Sequence, residues 1–221
     1  MTAIVCAFTI YLFVFTQQYG FRLGLRTDNA TYKLITEILN AMNKLLLGGI
    51  FCDLEKAFDC VNHDILLCKL KIYRIRDKDL QLYQSYLGNR YCRTAIYNGS
   101  ENSNKVSNWA KVRHGVPQGS ILGPLLFLLY INDLPKIIKK TSAPIIFVDD
   151  TSILFARSNL IDLNKNICIV FTALNKWLRA NHSSLNFNKT NYVHFTTKRN
   201  MSVNLKIGFK DNFITIAPTQ N

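Results

Sequence analysis

Acidic residues are scarce in this sequence: 14 Asp and Glu stand against 27 Lys and Arg among 221 residues, a formal net charge of +13. Such an imbalance points to a polyanionic partner, either nucleic acid or an acidic membrane surface. The six cysteines (Cys6, Cys52, Cys60, Cys68, Cys92, Cys168) include no CxxC pair, and no His lies at zinc-finger spacing, so a zinc site is not read here. Several sit inside apolar runs, which leads us to expect buried, reduced thiols in an intracellular protein. Internal repeats, low-complexity tracts and a separating linker are all lacking. With 48% apolar residues, this is neither a disordered tail, nor a collagen, nor a coiled coil. It is long enough for one sizeable core, in one domain or in two lobes of one domain.

A full-length membrane span is lacking too. The first 21 residues carry no charged side chain. Yet the apolar run Met1–Thr16 falls short of the roughly 20 residues a spanning helix needs. It shows neither the basic start nor a clear cleavage site of a signal peptide. A buried element, or a segment foreign to the rest of the fold, is expected there rather than a membrane anchor.

The apolar pattern that is present gives an order of elements. Helical spacing runs over Thr31–Leu47, with Gly48-Gly49 read as its stop, and a short strand follows at Ile50–Cys52. Ala57–Leu87 reads as mostly helical, with breaks near Asn62 and over Arg76–Lys78. Cys92–Tyr97 and Asn108–Arg113 read as strands around the polar loop Asn98–Asn104. Gly115–Gly119 is a non-helical turn, and Ser120–Leu134 is a helix apolar on nearly every side, hence buried. Pro144–Phe155 has the pattern of a hairpin with Asp149-Asp150 at its turn. An amphipathic helix over Leu160–Arg179 and a strand over Tyr192–Thr196 complete the pattern. Helices on one face of a mostly antiparallel sheet make this an α+β fold.

The few acids are clustered. Asp53, Glu55, Asp59 and Asp64 fall close together, and Asp149 adjoins Asp150. Each island alone reads as turn and cap carboxylates. If the strand ending at Asp53 neighbours the 144–155 hairpin, however, three carboxylates meet at one sheet edge. Hard oxygen donors of this kind suit Mg²⁺ shared with substrate phosphates.

Three strings carry a resemblance. FCDLEKAFDCVNHDILLCKL (51–70), GVPQGSILGPLLFLLYINDLP (115–135) and FVDD (147–150) resemble motifs A, B and C of reverse transcriptases, especially those of jockey-type non-LTR retrotransposons. QYGFRLGLRT (18–27) is similar to the family's Q-F-G-F-R-x-G-x-S-T segment, and 175–195 to its motif D region. The resemblance divides the chain into an apolar segment (1–16), a polymerase palm with partial fingers (17–198) and a basic tail (199–221). It implies an RNA-directed DNA polymerase that takes an RNA template, a DNA primer and dNTPs.

Residue roles follow from the resemblance. Asp53, Asp149 and Asp150 match the catalytic aspartates, which with the Leu54 carbonyl would hold two Mg²⁺ ions, Mn²⁺ being the alternative. Phe58 matches the aromatic gate that excludes a ribose 2′-hydroxyl, a plain core ring being the lesser alternative. Lys56 and Ala57 would turn backbone N–H groups toward the triphosphate. Gln118 and Gly119 match the turn beside the incoming nucleotide. Lys189 matches the lysine proposed to protonate pyrophosphate, against an ordinary surface lysine. Arg22 would, by the same resemblance, be a finger contact to triphosphate. Lys69, Lys71, Arg74 and Arg76 are candidates for phosphate contacts or for a solvated face. Ser120 reads as a helix cap, and His63 and Asp64 as structural.

Two departures stand out. Val148 replaces the family's small residue before the aspartate pair, where a β-branched strand residue should be tolerated. The expected thumb, primer grip and endonuclease have no counterpart, so the chain reads as a fragment. It is either a polymerase core or an inactive remnant that only binds nucleic acid.

Overall fold

The computed structural model describes residues 14–42, 46–98, 103–196, 207–209 and 212–216. Most of the apolar Met1–Thr16 run and of the basic tail therefore lies outside the described residues. Helix α1 spans Thr27–Met42 and strand β1 spans Leu46–Cys52. The expected helix to Leu47 thus gives way to strand before the glycines, which sit inside β1. Gly48 is needed for packing: a Cβ there would lie 2.6 Å from the hydroxyl and 2.8 Å from the ring of Tyr192. Tyr192 is fully buried, so the ring cannot swing aside. Glycine within a strand marks such a close approach. Gly48→Ala is expected to lower unfolding free energy by about 1–3 kcal/mol through overpacking, read from the urea midpoint at constant slope.

The chain continues through α2 (His63–Ile72) and α3 (Asp77–Leu87). Asn62 starts α2 by accepting a hydrogen bond from Ile65 N at 3.0 Å, the expected break near that residue. Strands β2 (Tyr91–Cys92), β3 (Ala95–Asn98), β4 (Ser103–Val106) and β5 (Ala110–Lys111) follow, then α4 (Leu122–Ile131) and α5 (Leu134–Ile138). Next come β6 (Ala143–Phe147), β7 (Asp150–Arg157), α6 (Leu160–Ala180) and β8 (Asn191–Phe195). Three short strands, β9 (Gly208–Phe209), β10 (Asn212–Phe213) and β11 (Thr215–Ile216), end the described chain.

One five-stranded sheet has the order β11-β8-β1-β7-β6. All its pairings are antiparallel except β11 with β8. Alternation along the strands sends neighbouring side chains to opposite faces. On one face Ile50, Ile153, Phe155 and Tyr192 meet Leu126, Phe127 and Tyr130 of α4 and Ile167, Phe171 and Leu174 of α6. On the other, Leu47, Ile145 and Leu154 pack beneath Ala30, Leu34 and Ile38 of α1. Helix cover is thus heavy on one face and lighter on the second. Tyr130 ties the main layer together: its hydroxyl accepts from Asn62 N (3.3 Å) and donates to Asn181 O (2.5 Å).

Two side chains lie differently from their sequence pattern. Lys69 is buried, donates to Tyr130 O and pairs with Asp133 at 2.7 Å, and lies over the rings of Tyr130 and Trp177. It holds α2 to α4 and offers no phosphate contact. Among the described cysteines, Cys52 alone is buried, with its thiol pushed up to about 12 by burial. Cys68, Cys92 and Cys168 are exposed, because each takes an outward position on its helix or strand.

The expected hairpin forms, but its ladder is longer. Pairing runs through Tyr91↔Lys111 and Cys92↔Ala110, then Ala95↔Val106 to Asn98↔Ser103. The return strand carries one extra residue between these stretches, a bulge that bends the ribbon. Tyr91, Ile96, Tyr97, Val106 and Trp109 are all exposed on it.

Candidate active site

Asp53 is the first residue after β1, and Asp149-Asp150 close the β6–β7 turn. The register Cys52↔Thr151 and Phe147↔Asp150 brings all three carboxylates to the same end of neighbouring strands. They feel one another: burial first, then the charges of Asp149 and Asp53, raise the pKa of Asp150. Acids held this way repel, which a divalent cation would relieve.

A second layer of contacts fixes Asp53. Its N–H donates to Thr190 Oγ1 (3.3 Å) and its carbonyl accepts from Asn186 N (2.9 Å). Leu54 bridges to Leu185, and Glu55 N donates to Ser184 O at 3.0 Å. These bonds lay residues 184–190 along the start of the acidic loop. They deliver Lys189, whose Nζ stands 3.9 Å from Asp53 Oδ2 with its side chain largely in solvent. Beyond Asp53 the chain turns at Lys56 (φ +46°), whose carbonyl accepts from Asp59 N and Cys60 N.

Phe58 is half-buried and stacked on Phe127, with centroids 4.4 Å apart and planes 27° apart. Phe21 meets its edge at 6.5 Å. The 115–119 turn is bound to the same loop. Gly115 N donates to Val61 O and Val116 N to Phe58 O, and Gln118 Nε2 donates to Asp59 Oδ1 at 2.9 Å. Gly115 needs glycine twice over: its φ is +85°, and a Cβ would meet the Asp59 backbone at 3.1 Å. His63 Nε2 bonds Gly115 O at 2.8 Å, a structural role as expected. Ser120 Oγ accepts from Gly123 N at 3.0 Å, consistent with a cap.

Together these residues enclose an open cavity of about 470 Å³. Asp53, Leu54, Lys56, Ala57, Phe58, Gln118, Asp149 and Lys189 line it. Glu55 and Asp59 of the acidic island line it as well, and so does Asn186, which the sequence did not single out; its bond to Asp53 is visible only in three dimensions. Asp150 lies at the edge, outside the lining. Gly119 (φ +80°) also lies outside it, with open space where a Cβ would stand. Arg22 is elsewhere: its guanidinium donates to the carbonyls of Phe15 (3.2 Å) and Gln18 (3.1 Å).

Val148 differs from expectation. It is not a strand residue but the first residue of the two-residue turn, at φ +58°. A β-branched residue is a genuine outlier there, and such turns ordinarily place glycine at that position.

Among the described residues no three acidic, imidazole or thiol groups gather closely enough to cage a metal unaided. The three aspartates share one sheet edge. The donor set still fits Mg²⁺, a hard cation that takes one or two carboxylates and completes its shell with water and phosphate oxygens.

Comparison with known proteins follows the same lines. Residues 5–210 match the family model described as reverse transcriptase (RNA-dependent DNA polymerase). The chain is 31% identical over 186 residues to the probable RNA-directed DNA polymerase from transposon X-element of Drosophila melanogaster, covering 82% of this chain and 20% of that protein. It is 32% identical over 169 residues to the polymerase of the mobile element jockey from the same organism, covering 74% and 17%. The chain thus spans about a fifth of the length of these relatives. Among solved structures, apo telomerase of Candida tropicalis, truncated from its C-terminal domain, superposes with TM-score 0.59 at 17% identity, covering 82% of this chain and 37% of that one. Telomerase of Candida albicans, solved with a fragment of telomeric RNA, gives 0.58 at 14% identity, covering 88% and 35%. At that identity the likeness concerns the fold alone, that of a palm-type polymerase. An acidic edge on an antiparallel sheet, an aromatic ring beside it and a family match over most of the length agree: this chain belongs to the reverse transcriptase family.

Proposed function

We propose that this chain is the core of an RNA-directed DNA polymerase, joining a dNTP to a primer 3′-hydroxyl opposite an RNA template. The observation that carries the reading is the meeting of Asp53 with Asp149 and Asp150 at one sheet end, beside a cavity lined by Phe58, Gln118 and Lys189. The bond formed joins the primer oxygen to the α-phosphorus, and the bond broken releases pyrophosphate. Asp53, Asp149, Asp150 and the Leu54 carbonyl would hold two Mg²⁺ ions, or Mn²⁺. Bound there, such ions lower the pKa of the attacking hydroxyl and neutralise the leaving charge.

The chain's own residues do the rest. Phe58 packs against the sugar and leaves no space for a 2′-hydroxyl. Backbone N–H groups of Lys56 and Ala57 face the triphosphate. Gln118, restrained by Asp59, and Gly119 flank the nucleotide and template. Lys189 carries its proton at Nζ, near Asp53, and donates it to departing pyrophosphate. Arg22 already serves two backbone carbonyls and is given no phosphate here. The direct test is primer extension on an RNA template by the full chain. DNA product is expected; binding without incorporation in either Mg²⁺ or Mn²⁺ would overturn the polymerase reading.

The ribbon of β2–β5 supports a nucleic-acid partner independently, and by itself favours the second reading, binding without synthesis. Arg90, Arg93, Lys105, Lys111 and Arg113 lie on or next to it, and no acidic residue stands among its described positions. Arg93 lies over the exposed Trp109 ring at 4.6 Å. A two-stranded ribbon is narrow enough to enter a duplex groove or follow a phosphate backbone. Replacing Arg93, Lys105 and Lys111 by Gln is expected to reduce the salt dependence of duplex binding, log K against log salt, by roughly 2–3. Anisotropy titrations at several salt concentrations measure it; an unchanged slope removes the ribbon from the interface.

A further inference from the structure

Gln18 lies 130 residues from Val148 in sequence and touches it with both ends of its amide. Its Oε1 accepts from Val148 N at 2.9 Å, and its Nε2 donates to Val148 O at 3.2 Å. The same oxygen accepts from Gly20 N at 2.7 Å, so the amide is itself held in place. The side chain is 4% exposed. Backbone bonds bring it there: Ile146 N donates to Gln17 O (2.9 Å) and Tyr19 N to Ile146 O (2.8 Å). Gly20 completes the seat, since a Cβ there would fall 2.4 Å from Val148 Cγ2 and 2.7 Å from Val148 N.

Val148 is the residue joining β6 to Asp149, and it holds a positive φ that its branched side chain disfavours. A conformation of that kind persists only where surroundings over-determine it. Gln18 reads both polar groups of this one residue, as a neighbouring strand would, and leaves neither free to relax. From this geometry we infer that Gln18 is a positioning residue: by clamping the Val148 backbone it sets the direction in which Asp149 and Asp150 leave the turn. The inference rests on the proposed polymerase reading for its consequence, although its direct effect is on cation binding at the acidic edge.

The test compares the full chain with Gln18→Ala, Val148→Gly and the double variant. Mn²⁺ affinity is read by the electron paramagnetic resonance of free Mn²⁺, primer extension by kcat and dNTP KM, and folding by urea denaturation. Gln18→Ala is expected to lower Mn²⁺ affinity and kcat by about 10-fold or more, as loss of a supporting contact behind metal-binding groups does. The dNTP KM should change far less than kcat. Glycine takes the left-handed turn without strain, so adding Val148→Gly should recover most of the lost Mn²⁺ affinity.

Gln18→Ala that keeps wild-type Mn²⁺ affinity and kcat overturns the inference. So does a loss that Val148→Gly leaves untouched, which would make Gln18 an ordinary core residue. Should Gln18→Ala fail to fold, Gln18→Glu decides. It keeps both accepted bonds and sets a carboxylate against Val148 O, so weakened Mn²⁺ binding is expected and unchanged binding overturns the inference. A wild-type chain that binds Mn²⁺ yet never extends primer fails the polymerase reading alone, and the Mn²⁺ comparison still decides the role of Gln18.

Discussion

Asp149→Asn combined with Asp150→Asn is expected to reduce primer extension by about 10³-fold or more, the scale on which preorganised charge at a reacting phosphate contributes. An amide keeps the shape of each side chain and removes the charge that a divalent cation needs. The fold should not suffer. Asp150 has a raised pKa in the folded chain, from burial and from the charges of Asp149 and Asp53. A group of this kind binds protons more tightly folded than unfolded, so its contribution is favourable below the ordinary carboxylate pKa and lost as pH rises through the raised value. At neutral pH the charged turn therefore works against folding, and the double amide should melt no lower than wild type. Duplex binding through the ribbon should survive. Loss of extension with intact melting and binding separates chemistry from structure, and extension that persists would remove these aspartates from the reaction.

Phe58→Ala is expected to raise ribonucleotide over deoxyribonucleotide incorporation by about 10- to 100-fold, the range that a few apolar atoms of pocket shape can discriminate. The ring can act as a gate because it does not move freely. Phe127 stacks beneath it at 4.4 Å and Phe21 abuts its edge, while its exposed side faces the cavity that also contains Asp53. Phe127 is fully buried on α4, so the gate is seated on the core. Phe127→Leu keeps most of the volume beneath and loosens the stack; it should relax selectivity less than Phe58→Ala does. Competition between matched ribo- and deoxyribonucleotides in single-nucleotide extension gives the ratio directly. A ratio unchanged in Phe58→Ala would return this ring to a packing role only.

Several features of the site were legible in the residue order. The 144–155 stretch alternates between two apolar runs with acids between them, and it forms the β6–β7 hairpin with Asp149-Asp150 at its turn. The 120–134 stretch lacks a polar face and becomes the buried helix α4 with the start of α5. Other features misled because their local pattern has two meanings. A Gly-Gly pair after an amphipathic run ordinarily ends a helix. Here it is strand, because Tyr192 must lie across Gly48. Lys69 sits among basic residues that suggest a phosphate face, yet Asp133 and two aromatic rings draw it inward.

By itself the order of residues determined what depends on neighbours along the chain. This includes the helical and strand periods, the buried α4, the acidic turn, the strong positive charge and the family motifs that name the chemistry. Tertiary structure alone decided the pairings between distant segments. It chose the sheet order that sets Asp53 beside Asp150, the parallel arrival of β11 on β8, the laying of Lys189 along Asp53, and the grip of Gln18 on Val148. The reason is physical. A residue's period records which side of its own element is apolar, and says nothing of which other element covers that side. Partners more than a hundred positions apart are selected by the combined burial and hydrogen bonding of the whole chain.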